Sequence, residues 1–473
     1  MSFNPARKLL LPAVLRGLAL GAILTLPVTA PALAQSPRIV QLAGSMETTF
    51  ALREDGSVVG WGRNDKGQLG PDPTPGNVPH KARPTPIALP GRARQIASGG
   101  DNGYALLEDG RLFAWGKGEG LGTGGSAGGV VRQAVADRGA GLRRAAGQVQ
   151  SMADEAQRAS RGDLGAAASL LGGLLSRKER AATPKAALSA NLPPPAADSA
   201  VPIEVPLRDV KQIYAYKGVA IALMQDGTLR AWGSRSAGRV GDGKAVKRWG
   251  ESSPPALSPV VVTGAEGITQ VSIGDKHVLA LRNDGRVLSW GLNARGQLGR
   301  QPVQEQALDT PDLVEGVSDA VQVAAGDYPV SMAVRHDGSL LVWGSSSMAH
   351  FGSGEADNGR GEWDIHPRPV PGVRSAARVV VGNLNAIAIL RDGSLMGWGN
   401  TDWGNLGIGK KTGFVYSPTR LALRDVVDVV VQFGRTYAIK RDGSLWYMGV
   451  GDKEDWQSPH TSNASPIPLS LQP

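Results

Sequence analysis

Seven times along the chain an Asp-Gly pair separates two short apolar runs, and in six of the seven the second run ends in Trp-Gly. The segments are FALREDGSVVGWG, YALLEDGRLFAWG, IALMQDGTLRAWG, LALRNDGRVLSWG, MAVRHDGSLLVWG, IAILRDGSLMGWG and YAIKRDGSLWYMG, with aspartates at Asp55, Asp109, Asp226, Asp284, Asp337, Asp392 and Asp442. Asp-Gly between alternating runs is a strong hairpin signal, and it leads us to expect a two-residue type I′ turn at each site. A further apolar run precedes each hairpin, such as Ile39-Val40. A Pro-bounded run follows a Gly-rich loop, such as Pro84 to Leu89. Four short strands per unit of about fifty residues, repeated around an axis, describe an all-β propeller with seven four-stranded antiparallel blades.

The tryptophans support that reading. Trp61, Trp115, Trp232, Trp290, Trp343 and Trp398 close the third strand of their units, and Met448 takes the place in the seventh. A large flat side chain recurring once per unit is expected to anchor neighbouring blades against each other. The chain holds 11 Trp but only 6 Phe, and 64 Gly with 32 Pro, as a turn-rich repeat requires.

The loop after Trp-Gly carries a second recurring motif: Trp61-Gly-Arg-Asn-Asp-Lys-Gly-Gln-Leu-Gly70, Trp290-Gly-Leu-Asn-Ala-Arg-Gly-Gln-Leu-Gly299 and, more loosely, Trp398-Gly-Asn-Thr-Asp-Trp-Gly-Asn-Leu-Gly407. With the Trp-Gly strands, this resembles the regulator of chromosome condensation repeat family, over roughly residues 38 to 473 apart from an insertion in the second unit. The family's Gly-x-x-His occurs as Gly274 to His277, and the loops of units two, three and five depart from its pattern. The resemblance implies a seven-bladed propeller that meets protein partners through loops on one face. It also offers a second function, a guanine-nucleotide exchange factor-like regulator of a small GTPase.

The aspartate spacings are 54, 117, 58, 53, 55 and 50, so the second unit carries about 63 extra residues. We assign the insertion to residues 125–200, with the fourth strand of that unit at Pro202 to Leu207. Its Ala, Arg, Gln and Glu suit one or two helices, while Gly139, Gly141, Gly147, Gly162 and Gly165 suit disorder equally.

The first 34 residues read as an export signal. Arg7, Lys8 and Arg16 precede or enter an apolar run from Gly17 to Val28, and Ala32-Leu-Ala34 before Gln35 fits a small-x-small cleavage site. The domain order is therefore signal peptide 1–34 and propeller 38–473, in a periplasmic or secreted protein. Loss of the signal lowers the formal charge from +9 to +6. No dense basic stripe of the kind nucleic-acid binding uses is present.

Catalytic signatures are sparse. With no cysteine, thiol chemistry is excluded. The six histidines, His80, His277, His336, His350, His366 and His460, show no metal-ligand spacing. Gly120 to Gly125 matches a dinucleotide fingerprint and Gly124 to Gly128 a nucleophile elbow, but both motifs need a parallel α/β sheet that this pattern does not supply. The expectation is a non-enzymatic monomer with no catalytic residue, cofactor or metal, and no integral membrane segment once the signal is removed. A channel site built from single residues of many blades, binding a substrate or a glycan, is the third possibility.

Strand parity then points to a binding face. In a simple meander the connections between strands one and two and between three and four share one side. Trp249, Trp363, Trp403 and Trp456 all fall between the third and fourth strands of their units, near the cations Lys247, Arg248, Arg360, Lys410 and Lys411. These residues are the candidate partner site, since exposed Trp and Arg are enriched at interface hot spots. The competing expectation is that each tryptophan packs beneath its own loop.

Overall fold

Each Asp-Gly pair does close a hairpin, with a different turn from the one expected. In the first, Gly56 N donates to Arg53 O at 2.9 Å and Arg53 N to Ser57 O at 2.9 Å. The loop is thus three residues long, Glu54-Asp55-Gly56. Only the glycine has positive φ, at +79°, so a turn followed by a left-handed glycine replaces the type I′ turn. The aspartate caps the turn instead: Ser57 N donates to Asp55 Oδ1 at 2.9 Å. Residues 111, 228, 286, 339, 394 and 444 donate their backbone N–H to the aspartates two positions earlier in the same way. Bonds from Ser57 hold the Asp55 carboxyl below its ordinary pKa.

The computed structural model describes residues 37–45, 47–71, 80–124, 197–245, 253–355, 363–411, 413–450 and 463–469. These form seven four-stranded sheets, each a meander in chain order. Blade 1 comprises β1 (Ile39–Ser45), β2 (Thr48–Arg53), β3 (Val58–Arg63) and β4 (His80–Pro86). Blade 2 comprises β5 (Ala93–Ser98), β6 (Asn102–Leu107), β7 (Leu112–Gly116) and β8 (Ser199–Val205). Blade 3 comprises β9 (Val210–Tyr216), β10 (Val219–Met224), β11 (Leu229–Gly233) and β12 (Ala256–Val261). Blade 4 comprises β13 (Ile268–Ile273), β14 (His277–Arg282), β15 (Val287–Asn293) and β16 (Val303–Leu313). Blade 5 comprises β17 (Ala320–Ala325), β18 (Val330–Arg335), β19 (Leu340–Ser345) and β20 (Trp363–Pro369). Blade 6 comprises β21 (Ala376–Val381), β22 (Asn385–Leu390), β23 (Leu395–Asn400) and β24 (Phe414–Arg420). Blade 7 comprises β25 (Val426–Gln432), β26 (Arg435–Lys440), β27 (Leu445–Gly449) and β28 (Asn463–Leu469).

The insertion of unit two lies almost wholly outside the described residues. Strand β8 starts at Ser199, three residues ahead of the expected Pro202. Among the described residues no helix is long and apolar enough to cross a membrane.

The recurrent tryptophans are the blade anchors. All six are buried to 2% exposure or less, and Met448 is fully buried in their place. Each of five indole N–H groups reaches into the preceding blade and donates to a loop carbonyl: Trp115 to Gln68, Trp232 to Gly120, Trp290 to Arg239, Trp343 to Gln297 and Trp398 to His350, at 2.8–3.0 Å. The acceptors occupy one position of the loop motif, the Gln of Gln-Leu-Gly. The divergent loops therefore keep the geometry where they have lost the sequence. The next residue fills the core in every such loop, as Leu69, Leu121, Val240, Leu298, Phe351 and Leu406.

The ring closes between blades 7 and 1 without strand exchange, since β1 and β28 belong to different sheets. There Trp61 Nε1 donates to the Tyr437 hydroxyl at 3.3 Å, with the rings edge-on at 5.8 Å. Gln432 Nε2 donates to Thr49 Oγ1 at 3.0 Å across the same seam.

A candidate partner-binding face

The meander fixes two faces. One carries the β1–β2 and β3–β4 connections of blade 1 and their equivalents, and we term it the loop face. The other carries the Asp-Gly hairpins and the blade-to-blade connections, the hairpin face. Between them runs a central channel of about 320 Å³ lined by the first strand of each blade.

The polar groups of the channel wall are largely engaged with each other. Gln41 Nε2 donates to Ile96 O at 3.0 Å while Ile96 N donates to Gln41 Oε1 at 2.9 Å. Gln95 clasps Ile213 and Gln322 clasps Val379 in the same two-bond manner, each reaching the inner strand of the next blade. Between blades 6 and 7 an ion pair, Arg378 to Asp428 at 2.8 Å, takes the role. These side chains stitch inner strands that have no direct ladder between them. Their amides are used in that bond and not presented to a ligand. Among the described residues no group of three His, Asp or Glu is placed to hold a metal ion.

At the loop-face mouth, charges from three consecutive blades converge. Lys217 Nζ lies 3.2 Å from Asp275 and 3.4 Å from Asp327. Burial pushes the Asp327 carboxyl up despite the nearby Lys217. At Asp275 burial acts in the same sense, but Lys217 and Lys276 together outweigh it and the pKa falls. Beneath them Arg239 is 3% exposed and donates to the carbonyls of Lys217 and Gly274. Neighbouring His277 is fully buried against Ser331, and burial pushes its pKa down to about 3. His277 is thus a neutral packing residue.

Of the residues singled out from the sequence, Trp363, Trp403, Lys410 and Lys411 are placed. Trp249, Trp456, Lys247, Arg248 and Arg360 lie outside the described residues. Trp363 opens β20 and pairs with Ser345; it is 44% exposed. Trp403 is half-buried, its ring 6.1 Å from that of Phe433 in the β25–β26 connection. Lys410 and Lys411 are exposed in the same β23–β24 connection as Trp403. Two aromatics were missed by the repeat alignment. Phe433 is 43% exposed, and Phe414, 37% exposed at the start of β24, stacks on Tyr416 at 5.8 Å. The available signal was scarcity: with only 6 Phe in the chain, one in a tight connection merits notice. Together these residues make an aromatic arc over the loop face of blades 5, 6 and 7.

Sequence comparison agrees with the repeat register. Profiles of the Regulator of chromosome condensation (RCC1) repeat match residues 39–68 and 268–297, and residues 55–106 and 284–332. RCC1 repeats are thus recognised in residues 39–106 and 268–332. The propeller is similar to human E3 ubiquitin-protein ligase HERC2, 28% identical over an alignment of 221 residues that covers 42% of this chain and 4% of that protein. It is also similar to Ultraviolet-B receptor UVR8 of Arabidopsis thaliana, 27% identical over 278 residues, 55% of this chain and 60% of the receptor. The chain thus spans 4% of the length of the first relative and 60% of the second, under two thirds of either. Among solved structures, the propeller superposes on yeast RCC1 (Prp20) bound to Kap60 with a TM-score of 0.58 at 20% identity, covering 83% of this chain and 77% of that one. Human WBSCR16 gives a TM-score of 0.59 at 19% identity, covering 84% and 86%. At such identities the likeness concerns the fold.

Proposed function

We propose that this RCC1-repeat propeller is a non-enzymatic, exported protein-binding scaffold whose partner docks on the loop face over blades 5–7. The observation that carries the reading is the exposure of Trp363, Phe433 and Phe414 on consecutive blades of that face. The tryptophans that hold the blades together are all buried, so stability does not account for these rings. Large aromatics supply much binding energy with few rotatable bonds, and a standard interface needs about 800 Å² per partner, which several blades provide. Protein partners suit the fold: yeast Prp20 is described by its binding to Gsp1p and histones.

The test is capture of partners from the cell-envelope fraction with the wild-type propeller and with a Trp363→Ala/Trp403→Ala/Phe433→Ala variant. A specific partner retained by the wild type and lost by the variant is expected. Undiminished capture by the variant overturns the docking face. Faster release of GDP from a small GTPase would instead identify an exchange factor. Export rests on the N-terminal pattern, and the mature chain should begin at Gln35; a start at Met1 or Ser2 contradicts it.

A further inference from the structure

Every inner strand carries a β-bulge at its second residue, where the register to the neighbouring strand shifts. Bulges re-aim the side chain at the irregularity. The seven bulged residues are Val40, Arg94, Lys211, Thr269, Val321, Ala377 and Val427, and all seven are exposed. Each immediately precedes the channel-lining part of its strand, so together they rim the channel on the hairpin face. The rim is two-sided. Blades 5, 6, 7 and 1 contribute Val321, Ala377, Val427 and Val40, four successive apolar positions whose valines are 43–50% exposed, with the Arg378–Asp428 pair beside them between blades 6 and 7. Blades 2 and 3 contribute Arg94 and Lys211. Arg94 donates to the carbonyls of Val210 and Lys211, and among the described residues neither cation has a carboxylate within 4.0 Å.

We propose that this rim is a second docking site, distinct from the loop face, which takes an extended protein segment bearing an aliphatic side chain beside an acidic one. The aliphatic group covers the valine arc and the carboxylate meets Arg94 and Lys211. Charge complementarity argues for the acid, since two uncompensated cations face the mouth. A peptide is favoured over an anionic membrane because the mouth lies inside an outer ring of projecting hairpins, whose exposed aspartates, Asp55 and its six counterparts, stand among arginines that pair with Asp109 and Asp284. A flat anionic surface would meet that ring, whereas a narrow segment reaches the mouth inside it.

A labelled hexapeptide library, with each position fixed in turn, tests this on the full propeller. We expect enrichment of Asp or Glu next to Leu, Ile or Val. Arg94→Ala/Lys211→Ala should lower the acidic preference about tenfold and keep the aliphatic one; Val321→Ser/Val427→Ser should do the reverse. Lys211→Ala and Val427→Ser alone, at exposed positions, serve if a double variant melts early. A library that selects no acid–aliphatic pair, or a selection unchanged in all variants, overturns the site. So does sedimentation with phosphatidylglycerol–phosphatidylcholine vesicles that depends on the same residues, which would make the rim a membrane contact. None of these outcomes bears on Trp363 or Phe433, so the two faces stand or fall separately.

Discussion

A single residue type sets the spacing of the blades. Each recurrent indole fills the gap to the preceding blade and uses its N–H there, on a carbonyl in five cases and on the Tyr437 hydroxyl for Trp61, so it supplies both area and a satisfied donor. Trp290→Ala should therefore lower stability by about 3–5 kcal/mol; denaturant midpoints measure it, and a midpoint equal to wild type would remove Trp290 from this role. Buried histidines add a pH dependence. Burial pushes His277 down to about 3 and His350 down to about 4, both below the 6.5 of an unfolded chain. The folded state then binds fewer protons than the unfolded state once the pH falls below 6.5. Stability is complete above that value and is lost as pH falls toward 4 and 3, by about 1.4 kcal/mol per histidine per unit. Denaturation at pH 7 and pH 5 should show the loss, and His277→Asn should shrink it. An unchanged difference in that variant would mean that His277 is not held neutral.

At the level of strands and loops, what repeats in sequence was legible and what repeats only in geometry was not. Asp-Gly and Trp-Gly located β2, β3 and their counterparts because turn chemistry and inter-blade packing admit few substitutes. The turn type was misjudged, since the aspartate side chain caps the turn and spares Asp55 a positive φ. The inner-strand clasps went unread because Gln41, Gln95 and Gln322 stand in short apolar runs, where one polar residue per strand resembles ordinary alternation. A more regular signal also passed unremarked. Pro84, Pro202, Pro259, Pro311, Pro367, Pro418 and Pro466 sit at one register position of all seven outer strands, beside the irregularity in their pairing with the third strand. Proline lacks a donor there and guards an otherwise open sheet edge. In the loops, Asn64 and Asn293 accept from the backbone N–H of Leu69 and Leu298. Thr401 holds that place in blade 6, and among the described residues its buried hydroxyl oxygen has no partner. Thr401→Asn should restore the bond and raise stability by about 0.5–2 kcal/mol, read as a higher denaturation midpoint; a lower one would show that the loop of blade 6 is built differently.

For the whole molecule, blade number followed from counting repeats, while the closure did not. Which strand pairs with which at the termini depends on the offset between repeat and blade, and here the offset is zero. The seam is held by side chains, Trp61 with Tyr437 and Gln432 with Thr49. The insertion leaves the propeller between β7 and β8, and loop closure grows costlier only slowly with length. Replacing residues 126–196 with a short Gly-Ser link should leave cooperative unfolding intact; loss of soluble protein would place the insertion in the core. The candidate site was legible in part, because parity could assign loops to a face but could not find Phe414 or Phe433, whose positions belong to no motif. The most direct test of the binding account is amide hydrogen exchange of the propeller with and without its captured partner. Protection is predicted at residues 363–366, 401–411 and 433–434, with the matching connections of blades 1 and 2 unchanged. Exchange unaltered in all three segments at saturating partner would contradict it.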